Sequence, residues 1–555
     1  MTQFSKNARM FQTTMMQGAK PMRQFGTQGR VYPEKHYVVQ RAEELADFIN
    51  RVKNGKYIVL FAPRQTGKTT FFRWALEKLS AAEPDYFPIH LDFEDYQNVA
   101  SRAFYEYLTE DIREEFETVF YKRGQLLPEA LARFLENTTL TDHVTMRRFF
   151  RQLARLIPEQ RVVIVIDEFD GIPPTVITDF LYALRRIYLS EVVEGFRCPF
   201  SVGITGVKSV AQLNYDGSVS PFNIQDEFSL PNFTLAQVEE LLGQYTDEVG
   251  QAFAPEVIVM LHRQTGGQPF LVNRLAQILT EEMDIPKSET IGMVHFLTAH
   301  TQILEERNVN ITHLITNIRR NPRFQRVLMR ITSYDNGEIF NLDNEVISQL
   351  ATYGVVKRGA DRRCEIANPI YLFRILQAFT PMINGLEEEY YPPESGDREK
   401  DYLTDAGVIN MERLLDNFRD FIARVGFRIL QVPETPQEYV GQCLLFAYLD
   451  RFVRAVQGNM HLEVQTGRGR ADLVIFRAGH KHIVETKIWQ GQKSYQAGKQ
   501  QLAAYLQSEG TTEGYYVVFD YRQTPEPRVE TEQIEALTIR SYVIPVVQER
   551  PSTFS

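Results

Sequence analysis

Residues 56–70 read "KYIVLFAPRQTGKTT". An apolar, β-forming run from Tyr57 to Phe61 stops at Ala62, and a helix-forming run starts at Lys68. Strand, turn and helix in that order present backbone N–H groups and a helix N-terminus to an anion. Lys68 suits the β- and γ-phosphates of a nucleotide, and the Thr69 hydroxyl suits Mg²⁺. The spacing G-x-x-x-x-G-K-[ST] is met at every place but the first, where Ala62 stands. That departure constrains the first turn but leaves the second glycine, the lysine and the threonine in place. The expected phosphate-contacting residues are therefore Ala62, Pro63, Arg64, Gln65, Thr66, Gly67, Lys68, Thr69 and Thr70.

Further along, "RVVIVIDEFD" (161–170) is an apolar strand that ends in acid. Asp167 suits the Mg²⁺ shell and Glu168 suits polarising an attacking water, while Asp170 reads as the start of a loop. The two halves agree on an ATPase-type core. "KYIVLFA", "YFPIHLDF", "RVVIVIDEF" and "CPFSVGITG" alternate with helical stretches, which predicts an α/β fold with a parallel sheet and crossover helices. "TLAQVEELLGQYTDEVG" and "PEVIVMLHRQTGG" predict a helical lid, and the helices from Ile311 followed by "GVVKRGADRRCEIANP" predict a winged helix. Its recognition-helix position, "NEVISQLATYGVV", carries few basic residues, so it reads as a regulatory module that closes over the nucleotide. "NGLEEEYYPPESGDREKDY" reads as an exposed linker. The expected organisation is a basic tail (1–36), the ATPase core (37–240), the lid (241–310), the winged helix (311–380), the linker (381–410) and a C-terminal α/β domain (411–555).

A chain of 555 residues exceeds one hydrophobic core and fits three or four domains of about 150 residues each. No apolar run approaches the roughly 18 residues that span a bilayer, so no membrane partner is expected. A formal net charge of -10 argues against coating polyanions at large but permits a local basic groove. Three cysteines, Cys198, Cys364 and Cys443, lie far apart and fit a reducing cytoplasm, with the thiols buried. Lys6, Arg9, Lys20, Arg23 and Arg30 occupy the first thirty residues without an acid, which reads as a disordered basic tail.

From about Tyr37 to Leu376 the chain resembles the AAA-like and STAND P-loop ATPases, in particular the group related to origin-recognition ATPases. The resemblance implies that Tyr37, Val39 and Arg41 of "HYVVQR" flank the nucleotide base, that Thr205 of "GITG" is the polar sensor, and that Gly267 and Pro269 of "TGGQPFLVNRLA" lie near the adenine. It also implies a ring or other homo-oligomer whose neighbour completes the active site. Arg185 and Arg186 are finger candidates for that role, although a solvated helix face is the simpler reading of both.

In "HIVETKIWQ" (482–490) two charged residues, Glu485 and Lys487, share one face of a strand that reads as buried. Hairpin pairing with the preceding "GRGRADLVIF" brings Asp472 beside Glu485. Two carboxylates and an ammonium suit a Mg²⁺ site, with Mn²⁺ as a substitute, and leave Lys487 to orient or deprotonate a water. The spacing resembles the PD-(D/E)XK nuclease superfamily over about the last 130 residues, in the version fused to AAA-like ATPases in bacterial proteins. That resemblance implies a further acid on the first helix, Glu438, a glutamine on the helix after the lysine, Gln501, and the Thr486 carbonyl as a metal ligand. Arg468 and Arg470 are placed to touch phosphates. His461, His480 and His482 fit no zinc spacing and read as surface residues. The expected protein is an ATPase that controls a Mg²⁺-dependent nuclease acting on nucleic acid, DNA favoured, with defence against foreign DNA as a role and a regulatory protein as a further partner. A nucleotide-switched scaffold with a non-cleaving, nucleic-acid-binding C-terminal domain is the alternative.

Overall fold

A computed structural model of the chain describes residues 22–29, 31–207, 224–332, 338–378, 399–425, 437–464, 471–522 and 524–545. The first unit is built on β1 (Tyr57–Phe61), β2 (Tyr86–Asp92), β3 (Arg161–Asp167), β4 (Ser201–Gly206) and β5 (Gln225–Glu227). They form a wholly parallel sheet in the order β2-β3-β4-β1-β5. Helices α1 (Ala42–Lys53) and α2 (Lys68–Ala82) cover one face, where Phe48, Phe71 and Phe72 pack edge to face. Helices α3 (Ser101–Lys122), α4 (Glu129–Asn137), α5 (His143–Leu156) and α6 (Ile177–Glu194) cover the other around Phe87, Phe104, Phe149 and Phe180. Burial on both faces is why β1, β3 and β4 read as unbroken apolar runs. The register sets Leu60 opposite Thr205, and Asp92 opposite Asp167. The carboxyl ends of β1, β3 and β4 therefore meet at one edge, the place where open α/β sheets bind ligands.

The lid follows as α7 (Leu235–Val249), α8 (Pro255–Thr265), α9 (Pro269–Gln277) and α10 (Met293–Glu305). Thr234 and Gln237 cap α7 reciprocally, and Gly266 (φ 57°) stops α8. The segment read as a disordered tail corrects that reading between 22 and 36: Phe25 and Tyr37 bury their rings against Tyr245, and Arg23 pairs with Glu248 at 2.7 Å. Aromatic burial outweighs the basic composition there. Residues 1–21 lie outside the described residues.

Helices α11 (Val309–Arg320), α12 (Pro322–Thr332) and α13 (Glu345–Thr352), with the β6 (Val356–Arg358) and β7 (Cys364–Ile366) hairpin, form the winged helix, and α14 (Pro369–Ala378) closes it. The C-terminal part places α15 (Met411–Val425) and α16 (Gln437–Ala455) before β8 (Asn459–Val464), β9 (Ala471–Arg477) and β10 (His480–Ile488). Then come α17 (Gln492–Ser508), β11 (Glu513–Asp520), β12 (Arg528–Ile534) and β13 (Leu537–Pro545). The sheet order is β12-β13-β11-β10-β9-β8, with β10, β11 and β13 parallel to one another and the remaining pairings antiparallel. Leu502 and Leu506 of α17 pack on one face of this sheet with Ile483 and Val518.

The other face does not stand apart from the ATPase side. One apolar cluster runs from Phe25 and the lid through Phe324, Ile375 and Leu376 into Leu449, Val484 and Val517. The second half of the expected linker joins it: Tyr402 and Ile409 are buried, and Leu403 bridges Ile409. Alternating apolar positions within a polar composition account for this departure. Residues 379–398 lie outside the described residues. Among the described residues, no helix is long and apolar enough to cross a membrane.

Candidate functional site

The turn from β1 to α2 takes two left-handed residues, Gln65 (φ 62°) and Gly67 (φ 84°). Ala62 is not among the positive-φ residues, so this turn does not need glycine at the first motif position. The Lys68 ammonium is buried and donates to the carbonyls of Ala62 and Pro63, each at 2.9 Å. Burial lowers its pKa, against the pull of Glu168 and Asp167. Thr69 Oγ1 donates to Asp167 Oδ2 at 2.5 Å, and Asp167 is buried. His90 Nε2 lies 3.9 Å from the same oxygen, a neighbour that sequence reasoning missed because it comes from β2. Glu168 sits at φ 46°, and burial raises its pKa against the opposing charge of Lys68. Thr205 Oγ1 is buried without a hydrogen-bond partner. Asp170 does more than begin a loop: its Oδ2 accepts from the Val207 amide at 2.7 Å and holds the end of β4 to the turn after β3.

An ammonium bonded to two backbone carbonyls, a hydroxyl against a carboxylate and an orphaned hydroxyl form a donor set that fits a Mg²⁺-nucleotide. Beside them opens a cavity of about 640 Å³. Pro63, Arg64, Gln65 and Glu168 line one side, and His313, Asn317 and Tyr353 of the winged helix line the other. Gly354 presses on the loop so closely that a Cβ there would lie 2.4 Å from Pro63 Cγ. From the lid, Gln268 Nε2 donates to the Gln65 carbonyl at 3.2 Å, while Gln268 Oε1 caps α9 through the Leu271 amide. Neither Gln268 nor Gly354 was singled out from sequence, since both act on neighbours distant along the chain, the Gln65 carbonyl and the Pro63 ring.

Other expected nucleotide residues do not line this cavity. Tyr37, Val39 and Pro269 are buried in the lid and do not line the cavity. Burial pushes the Tyr37 hydroxyl up to about 12. Arg41, left-handed at φ 46°, donates to the Pro231 carbonyl at 2.8 Å and lies 4.7 Å from the Phe233 ring centre, and burial lowers its pKa to about 10. Gly267 (φ 68°) lets α9 start against the Phe233 carbonyl, where a Cβ would lie 1.9 Å from the oxygen. The apolar packing of this segment against α7 is what draws these side chains inward. Arg185 is half-buried and Arg186 exposed on α6.

In the C-terminal sheet Glu485 and Lys487 are buried on β10. Lys487 Nζ donates to Glu485 Oε1, and to Gln501 Oε1 on α17 at 3.3 Å. The β9–β10 register pairs Val484 with Leu473, so one further step sets Asp472 opposite Glu485, and β8 sets Glu463 opposite Asp472. The backbone thus lines up three acidic residues across three strands. The side chains of Asp472 and Glu438, and residues Arg468 and Arg470, lie outside the described residues. Thr486 Oγ1 is buried without a hydrogen-bond partner. Among the described residues no three His, Cys, Asp or Glu side chains gather as a metal set.

Glu463 was missed, and it ties this sheet to the lid. Arg263 of α8 pairs with Glu463 and, at 3.4 Å, with Glu509, and Gln264 Nε2 donates to the Leu462 carbonyl at 3.1 Å. The surface reading of the histidines is corrected at two positions. His461 is buried under the lid, 5.7 Å from the His300 ring and stacked on Phe476, and His482 is buried beside Tyr515. Only His480 is exposed. Burial holds His300 down to about 3 and His482 down to about 4, and it places His461 well below the ordinary range.

A family model described as an AAA-like domain matches residues 27–373. A second, described as a domain of unknown function (DUF8371), matches residues 410–523. An uncharacterized WD repeat-containing protein of Synechocystis is 28% identical over 180 residues, 31% of this chain, which spans only 14% of that relative's length. Among solved structures, the Walker-type ATPase of Pyrococcus abyssi aligns at 15% identity over 63% of this chain and 99% of its own, with a TM-score of 0.41. The Aeropyrum pernix ORC1 protein in complex with DNA aligns at 16% identity over 61% and 92%, with a TM-score of 0.30. The Thermotoga maritima RuvB Holliday junction branch migration motor aligns at 13% identity over 58% and 90%, with a TM-score of 0.31.

Proposed function

This chain belongs to the AAA-like domain family, and from that premise we propose that it hydrolyses ATP and thereby controls a C-terminal Mg²⁺-dependent nuclease that cleaves nucleic-acid phosphodiesters, DNA in preference to RNA. In the ATPase, Lys68 and the loop amides bind the phosphates, Thr69 and Asp167 hold Mg²⁺, and Glu168 takes the proton of the attacking water. Its raised pKa makes it a stronger base than an exposed glutamate. Thr205 supplies the orphaned hydroxyl to the same edge.

The observation that carries the nuclease reading is the buried pair of Glu485 and Lys487 with the half-buried Gln501 on the lysine, and Asp472 one position beyond the last β9–β10 pair, Leu473 with Val484. A buried carboxylate and ammonium cost several kcal/mol to desolvate, and a site that uses them is one reason for a fold to keep them. Mg²⁺, or Mn²⁺ in its place, would be held by Asp472, Glu485, Glu438 and the Thr486 carbonyl and supplies charge against the developing oxyanion. Lys487 orients the attacking water or accepts its proton, and Gln501 fixes the lysine. Control passes through the lid, which touches the phosphate loop by Gln268 and the acidic row by Arg263. Assembly into a homo-oligomer in the cytoplasm, a regulatory protein partner and a role in defence against foreign DNA belong to this reading.

The test is cleavage of linear, circular and single-stranded DNA and of RNA, with and without ATP, by the wild type and by Lys68→Ala, Glu485→Ala and Lys487→Ala. Cleavage is expected from the wild type and to fall roughly 10²-fold or more in the two C-terminal variants. A wild type that leaves all four substrates intact sinks the nuclease. It then favours a nucleotide-switched scaffold that binds nucleic acid without cutting, a reading to which the Lys487–Glu485 ion pair also lends itself.

A further inference from the structure

Helices α5 and α6 pack side by side on the face of the ATPase sheet away from the nucleotide loop. Between them lies a cavity of about 190 Å³ lined by Arg147, Arg148, Arg151 and Arg186, with Ser190 and Phe196. Among the described residues, no carboxylate lines it. Of the carboxylates on α6, Asp179 lies 3.6 Å from His143 and Glu191 pairs with Arg197 at 3.1 Å, while the Glu194 side chain lies outside the described residues.

Gathering guanidinium groups is unfavourable unless something negative completes the set. Arg147 registers that cost: burial lowers its pKa, and Arg186, Arg151 and Arg148 each lower it further. Its Nε is buried without a hydrogen-bond partner. Guanidinium forks match the oxygens of a phosphoryl group two at a time, which distinguishes such a pocket from a patch of lysines.

We propose that the α5–α6 pocket binds a phosphoryl oxyanion, with Arg147, Arg148 and Arg186 as its ligands. The cavity is smaller than the roughly 300 Å³ at which pockets for whole small-molecule ligands begin, so it admits one phosphoryl group and leaves the rest of the ligand outside. Two sources share that chemistry: the backbone of a nucleic acid, and a free or terminal phosphate. The pocket stands on its own arginines and does not depend on the nuclease reading.

The experiment uses the full chain carrying Lys68→Ala, so that the nucleotide loop contributes no phosphate response, with and without the double substitution Arg148→Ala and Arg186→Ala. Both of these side chains are exposed, and circular dichroism and the melting temperature without ligand check that the fold is kept. Inorganic phosphate, against chloride at matched ionic strength, is expected to raise the melting temperature of the parent and not of the double variant. A twelve-nucleotide single-stranded oligonucleotide is expected to bind the double variant at least tenfold more weakly, with a salt dependence shallower by about one per arginine removed. A response to phosphate alone assigns the pocket to a small anion, and a response to the oligonucleotide alone assigns it to a nucleic-acid backbone. Either result upholds oxyanion binding. If parent and double variant respond alike to both probes, or the parent responds to neither, the proposal is wrong.

Discussion

Glu168 holds a left-handed backbone at φ 46° without being glycine, a conformation that costs on the order of 1 kcal/mol or more. A residue kept there against that cost is expected to be held for its carboxylate. Glu168→Gln should therefore leave ATP binding intact and reduce hydrolysis about 10²- to 10⁴-fold, measured by equilibrium nucleotide binding and by phosphate release. Glu168→Gly should also abolish turnover, yet raise the melting temperature, because glycine accepts the same φ freely. The raised pKa of this carboxyl places the acid limb of hydrolysis above the pH expected of an ordinary glutamate. Gly267 gives the converse case. With φ 68° and the Phe233 carbonyl 1.9 Å from where a Cβ would stand, Gly267→Ala should cost about 2 kcal/mol or more by denaturant titration. At this scale the sequence was most legible where the chemistry is local. The loop follows the apolar run of β1, and Asp167 and Glu168 follow that of β3, whereas Gln268 and Glu463 act on partners about 200 residues away, at positions no spacing rule reaches.

Among the elements, the seam of α10 with β8, together with the buried face of β10, carries the clearest pH dependence. His300, His461 and His482 are buried with pKa values depressed below 6.5. Each is neutral in the folded chain, while the unfolded chain takes up a proton below about pH 6.5, so stability is full above that pH and falls as the pH drops. The loss is about 1.4 kcal/mol per pH unit for each histidine, down to about pH 4 for His482 and about pH 3 for His300. Urea titrations between pH 7 and 4 should show it, and His300→Asn should flatten the slope. Arg263→Ala would strand the buried Glu463 carboxylate and is expected to destabilise by about 1–3 kcal/mol, with hydrogen exchange rising first in β8. Strands buried on both faces were legible as apolar runs, and so was the Gly-Ala-Asp hairpin. The short β5, "QDE", and β12, "RVETEQI", were not, because edge strands with exposed polar residues carry no such run. Nor does a lone histidine's sequence neighbourhood reveal which helix will cover it.

For the whole molecule, composition indicated several domains and the polar stretch after Leu376 indicated where they part. What the sequence could not convey is that the apolar cluster continues from the lid and winged helix into the C-terminal sheet. Each side reads as amphipathic by itself, and amphipathic faces do not announce their partners. A chain ended after Ala378 would uncover Phe373, which packs against Phe446 at 5.0 Å between ring centres, together with the neighbouring apolar face of α14. Such a truncation is expected to aggregate, or to bind a hydrophobic dye that the full chain excludes, even though the nucleotide loop it retains is intact. Size-exclusion chromatography with dye fluorescence would decide it.

That continuous cluster also bears on inheritance. Two halves joined by a loose tether can be exchanged among relatives like beads on a string, but halves that share an interior must change in step, so a recombinant pairing this lid with a foreign C-terminal sheet should fold only when the residues meeting α14 are transplanted with it.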